Sequence, residues 1–175
     1  MCEIVLEIPT ARHTIAADAY YKDFLRHGEG TKTSTPQNWT QDYSAWLGNS
    51  FRNSREITAR EDWVPTTTLF AVRKEDKKII GSTHIRHNLN QEILQQYGGH
   101  IGYAVCPEER RKGYGTTILE LALNYSLSLG LDKVMLSCRK DNPASQRIIE
   151  KCGGIFEREF RENDQEILIY WINIQ

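Results

Sequence analysis

A single α/β (α+β) domain is the fold class this sequence predicts: a mixed, mostly antiparallel central sheet flanked by helices. Three observations point to it. Two pairs of strand-like runs, Thr67–Arg73 with Ile79–His87 and Ile155–Phe160 with Ile167–Ile174, are each joined by a short polar turn, the pattern of antiparallel hairpins. Between the pairs, a strand, a long helix and an apolar strand follow in order, which implies a crossover connection. The length of 175 residues suits one core, so residues 1–175 are expected to form one domain, helical over 1–60 and sheet-based over 66–175.

The elements read in chain order as follows. Thr10–His27 places Ile15, Ala16, Ala19, Tyr20 and Phe24 on one helical face, with Gly28 as its stop. Gly28–Gln41 is polar, contains Pro36 and reads as a loop before a short helix at Asp42–Leu47. The aromatics Trp39, Tyr43 and Trp46 are candidates either for the core or for a binding surface. Asn49–Trp63 is charged and irregular. After the first hairpin, a short helix is expected at Gln91–Gln96 and a strand at Gly99–Cys106 closed by Pro107. Gly113–Leu129 carries Ile118, Leu121, Ala122, Tyr125 and Leu129 at helical spacing, with Gly130 at the stop. Lys133–Cys138 is a nearly continuous apolar run, as in a strand buried on both faces. Asn142 before Pro143 reads as an N-cap with proline at the first helical position, and Gly153 ends that helix before the second hairpin.

Composition excludes several functions. With 22 Lys and Arg against 23 Asp and Glu, no large net charge would hold the chain on nucleic acid or an anionic membrane. No apolar run approaches the roughly 18 residues of a spanning helix, and acidic Glu3 and Glu7 are unlike a secretory signal, so the cytoplasm is the expected compartment. The four cysteines, Cys2, Cys106, Cys138 and Cys152, stand far apart without a CxxC pair, which suggests reduced thiols and no metal site.

Chemistry concentrates in Val105-Cys-Pro-Glu-Glu-Arg110-Arg-Lys-Gly113-Tyr-Gly115-Thr116, a strand end, a turn and a helix start. The first amides of such a helix have no intrahelical partner and can hold a phosphate. Gly113 and Gly115 allow positive φ or close approach, and Arg110, Arg111 and Lys112 add charge. The same residues also describe an ordinary turn with solvated basic side chains. GxxxxGK[ST] and the third glycine of the dinucleotide fingerprint are absent.

The pattern Arg110-x-x-Gly113-x-Gly115 resembles the (Gln/Arg)-x-x-Gly-x-(Gly/Ala) signature of the GNAT superfamily of N-acetyltransferases. The likeness continues through Ser137, Asn142-Pro-Ala-Ser145 and Glu150-Lys-Cys-Gly153-Gly154. Ile85-Arg-His-Asn88 and Gly98-Gly-His-Ile-Gly102 are similar to a bacterial subgroup of acetyltransferases. It spans Ile79 to Phe160, and residues 1–60 match loosely. The resemblance implies a splayed parallel strand pair and acetyl-CoA as cosubstrate, without a metal. Its pyrophosphate would lie on the amides of Arg111, Lys112, Gly113, Tyr114, Gly115 and Thr116, with its pantetheine beside Ala104 and Val105 and Asn142 and Ser145 on the other side. The acceptor implied is an amine-bearing small molecule or peptide bound by the helical N-terminal region. A non-catalytic coenzyme A-binding sensor or interaction module is the alternative.

Acetyl transfer to an amine calls for a base, and imidazole titrates near neutrality. His100 is the first candidate, with His87 and His84 competing; alternation puts the latter two on opposite faces of their strand. Ile149 falls where many family members carry a tyrosine acid, which leaves Ser145, water, Tyr103 or Tyr170 to quench the thiolate. Asp18, Asp23 and Glu29 are expected either on a solvated helix face or attracting a cationic acceptor. The terminal strand Ile167–Ile174 is a candidate to pair across a homodimer.

Overall fold

The computed structural model describes residues 2–29, 42–56 and 63–174. Trp39, Pro36 and most of the expected loop to Gln41 lie outside the described residues. Two antiparallel sheets form the frame. The first has the order β1 (Ile4–Glu7), β2 (Thr66–Arg73), β3 (Ile79–Arg86) and β4 (Ile101–Val105). The second has the order β5 (Lys133–Arg139), β7 (Gln165–Asn173) and β6 (Ile155–Glu162). The C-terminal strand β7 therefore lies between β5 and β6 with both edges paired, so it offers no edge to a second copy; the expected pairing across a dimer is corrected on this ground.

Strand alternation divides the first sheet between two cores. Phe70, Val72 and Ile79 face Ala17, Tyr20 and Phe24 of α1 (Thr14–Arg26). Leu69 and Ile85 join Leu119 and Ala122 of α3 (Tyr114–Ser128), and Ala71 and Ile80 pack with Tyr114 and Ile118. Helix α2 (Tyr43–Asn53) is capped by Asp42, whose side chain accepts from the Ala45 amide at 2.9 Å. Trp46 stacks on Phe70, and the Tyr43 hydroxyl donates to the Thr10 carbonyl, so both aromatics act in packing. Helix α4 (Pro143–Lys151) starts at the expected Asn142 cap.

Strands β4 and β5 belong to different sheets yet run side by side in one direction. His100, just before β4, bonds Met135 early in β5, and Tyr103 farther along β4 lies near Cys138 farther along β5. The splayed parallel pair is thus a seam between two antiparallel sheets, closed at His100 and open beyond it.

Candidate functional site

The turn between β4 and α3 is built on buried acids. Asp23 of α1 is 2% exposed and accepts from the Cys106 thiol at 2.8 Å and the Glu108 amide at 3.2 Å. Burial alone would raise its pKa, but these hydrogen bonds and nearby His27 outweigh it and leave it below the ordinary carboxylate value. Asp23 is therefore a structural cap for the turn rather than a solvated or substrate-facing acid. Glu109, 4% exposed, bonds Arg73 at 3.1 Å, Lys78 at 2.8 Å and Lys112 at 2.9 Å. Burial opposes its ionisation, yet the two lysines and Arg73 hold its pKa down to about 2.

These contacts reassign the basic residues of the motif. Lys112 turns back to Glu109, and Arg110 forms a two-pronged pair with Glu29 at 2.8 and 2.7 Å while its Nε donates to the Val105 carbonyl at 3.2 Å. Arg111 is exposed and, among the described residues, enters no ion pair. Its φ of +61° and the +85° of Gly113 are left-handed, the kind of turn that can bring successive amides to one side. The Thr116 amide donates to the Gly113 carbonyl at 3.1 Å, so the amides without a backbone acceptor among the described residues run from Arg111 to Gly115. Tyr114 contributes only its backbone here, because its ring is buried beside Ile4 and Ile80. At Gly115 a Cβ would stand 2.7 Å from Ile148 Cδ1. The missing side chain thus serves the contact of α3 with α4, where the sequence suggested room for a phosphate.

The mouth of the open seam lies at the end of β4. Ala104 packs toward α1, and Val105 Cγ2 would be 3.6 Å from a Cβ at Gly115. At the closed end, the His100 amide donates to the Met135 carbonyl at 2.7 Å and its Nδ1 accepts from the Met135 amide at 2.9 Å. Burial and the Arg86 charge push His100 down to about 4. Its neutral ring, with Nδ1 occupied, carries the proton on Nε2. His100 therefore clamps the two sheets, and with Nδ1 accepting from the Met135 amide this geometry does not favour the proton-accepting role expected of it. His87 shares a 2.8 Å hydrogen bond with Thr67 beside Pro65, on the face of β3 opposite His84 and away from the seam.

His84 is better placed than either. It pairs in register with Gly102 of β4, where a Cβ would meet nothing within 4 Å. Its Nδ1 lies 2.8 Å from the Thr68 hydroxyl, and burial followed by the Arg86 charge lowers its pKa to about 4. On the other side of the seam, the Tyr103 hydroxyl is 3.0 Å from Ser145 Oγ, and the Ser145 amide donates to Asn142 Oδ1 at 3.2 Å. Ile149 is fully buried in the main core, and the Tyr170 hydroxyl points to Glu150 at 3.4 Å. Among the described residues, no group of three or more His, Cys, Asp or Glu is placed to hold a metal ion. Also among them, no helix is long and apolar enough to cross a membrane.

Sequence reasoning missed Glu109 and the Tyr103–Ser145 contact. Glu109 was visible beside the motif, but buried acids are rare. The contact joins residues 42 positions apart, and no local pattern signals it.

Comparison with known proteins places this geometry. A family model described as acetyltransferase (GNAT) domain matches residues 7–155. The N-acetyltransferase YoaA of Bacillus subtilis, described as uncharacterised, is 32% identical over 88 residues, 50% of this chain and 46% of its own. The chain spans about half the length of the curated relatives it matches. Among solved structures, the microcin C7 self-immunity acetyltransferase MccE, in complex with acetyl-CoA and AMP, superposes with a TM-score of 0.71 at 20% identity, over 98% of this chain and 93% of that one. Mutant forms of the spermidine/spermine N-acetyltransferase SpeG from Vibrio cholerae superpose with a TM-score of 0.65 at 17% identity, over 97% and 93%.

Proposed function

The chain belongs to the GNAT acetyltransferase family, and on that premise we propose that it transfers the acetyl group of acetyl-CoA to an amine of a small molecule or peptide by direct attack. The observation that carries the reading is the run of amides from Arg111 to Gly115, folded by two left-handed residues at the mouth of the open seam. These amides and the Arg111 side chain suit a diphosphate at the positive end of α3.

Along β4, the His100 carbonyl and the Cys106 amide are bonded to β3. Alternation then directs the amides of Tyr103 and Val105 into the seam, where the amide groups of a pantetheine arm would satisfy them as an added strand does. When bound, acetyl-CoA supplies the thioester. An alkylamine with a pKa near 10.4 is only about one part in a thousand neutral at pH 7, so a proton must be removed. In the tautomer whose Nδ1–H donates to the Thr68 hydroxyl, His84 takes it at Nε2, directly or through a water; the space over Gly102 admits the amine. The Tyr103 or Val105 amide steadies the carbonyl oxygen as charge develops.

The test is thermal unfolding with and without acetyl-CoA, followed by a panel of amines, spermidine among them, assayed for free thiol. Ligand at a hundredfold excess over its dissociation constant stabilises by about 2.7 kcal/mol, and an unmoved transition would remove the acetyl-CoA reading. Stabilisation without thiol release from any amine would instead favour a non-catalytic coenzyme A-binding module. With an amine substrate in hand, His84→Gln lowers kcat at unchanged acetyl-CoA affinity; wild-type turnover would remove His84 from the mechanism.

A further inference from the structure

Three side chains from three elements meet at one wall of the seam. Tyr103 projects from β4, and its hydroxyl lies 3.0 Å from Ser145 Oγ in the first turn of α4. Ser145 is fixed there by the Asn142 cap, and Cys138 near the end of β5 lies close enough to feel its hydroxyl. The neighbouring α4 position that points inward is Ile149, fully buried and without a proton to donate. A hydroxyl pair, Tyr103 with Ser145, therefore lines the seam where Ile149 offers no proton.

We propose that Tyr103 is a positioning residue: its phenol donates to Ser145 Oγ and so turns the Ser145 proton into the seam, where it hydrogen-bonds the sulfur of departing coenzyme A. The inference rests on the acetyl-transfer reading above. Burial raises the Tyr103 pKa to about 12, against the smaller opposite effect of Ser145, so the phenol keeps its proton at neutral pH. Burial likewise raises Cys138 to about 11, which makes it a neutral thiol and a weak acceptor. Ser145 then has its lone pair facing Tyr103 and its proton free to turn toward sulfur. No covalent bond forms or breaks in this step. The hydrogen bond stabilises the thiolate relative to the thiol, and chained donors strengthen one another.

Coenzyme A itself is the probe, so no acceptor is needed. The thiol of the bound molecule is titrated by the ultraviolet absorbance of its thiolate, with the complex of desulfo-coenzyme A subtracted to remove tyrosine signals. In the wild type the bound thiol titrates about one pH unit below free coenzyme A. Tyr103→Phe, which keeps the ring in the core, and Ser145→Ala each return it toward the free value, and the double variant adds nothing further. A bound thiol that titrates alike in wild type and Tyr103→Phe, or single effects that simply add, overturns the proposal while leaving acetyl transfer standing. Failure of the wild type to bind coenzyme A overturns the acetyl-transfer reading and this inference with it.

Discussion

Replacing Glu109 by glutamine removes one buried negative charge from between Arg73, Lys78 and Lys112. The Glu109 pKa falls from 4.5 to about 2 in the folded protein. At roughly 1.4 kcal/mol per pH unit this corresponds to about 3 kcal/mol. Lys78 and Lys112 have side chains 37% and 53% exposed, and water screens their share, which brings the expected loss at pH 7 to about 2 kcal/mol. For a chain of this size that lowers the melting temperature by about 4–8 °C.

The pH dependence gives the sharper reading. A carboxyl whose folded pKa lies below its unfolded one stabilises fully above pH 4.5, and that contribution is lost as pH falls through the folded value of about 2. Urea unfolding of wild type and Glu109→Gln at a series of pH values is the assay. Their difference should be constant from neutrality down to about pH 5 and then shrink toward zero near pH 2. A difference that stays constant down to pH 2 would show that the substitution acts through packing, and the electrostatic account would fail.

Gly115→Val brings a Cβ to within 2.7 Å of Ile148 Cδ1, the movable end of that side chain; it should cost about 1 kcal/mol of stability or less while weakening acetyl-CoA binding, both read from melting curves with and without ligand. His100→Ala leaves the buried Met135 amide without its acceptor and should lose about 1–3 kcal/mol in denaturant melts at pH 7.5. His100 has a folded pKa of about 4 against an ordinary 6.5, so wild-type stability should decline as pH falls from 6.5 to 4; the alanine variant should lack that part of the slope, and identical slopes would contradict the burial of a neutral ring.

Where a signal was local, the sequence carried it. Helix α3 follows from apolar spacing and its Gly130 stop, and α4 from the Asn142-Pro143 start. Both hairpins follow from alternation, and the second turns at Asn163, with φ +52°. Helix α2 was read only to Leu47 yet extends to Asn53, because its last turns carry Asn49, Ser50 and Arg52 on a surface with little apolar period. Strand β1 was not foreseen: four residues at a sheet edge give too short a pattern to tell from a loop. The segment expected as a helix at Gln91–Gln96 ends in a widened turn over Leu94–Gly98, set by the Arg86 guanidinium on the Gly98 and Gly99 carbonyls. In the site, the left-handed turn leading into α3 was legible from Gly113 and a helix start. The fates of Arg110, Lys112, Asp23 and His100 were not, since each is decided by a partner far along the chain.

The His100–Met135 clamp fixes how strands β4 and β5 diverge before any guest arrives. Their facing edges exchange no ladder bonds beyond that point among the described residues. An extended molecule laid along them would break no strand-to-strand bond and would meet only the Val105 carbonyl already held by Arg110 Nε, much as a zip left half undone takes a new tooth without being forced.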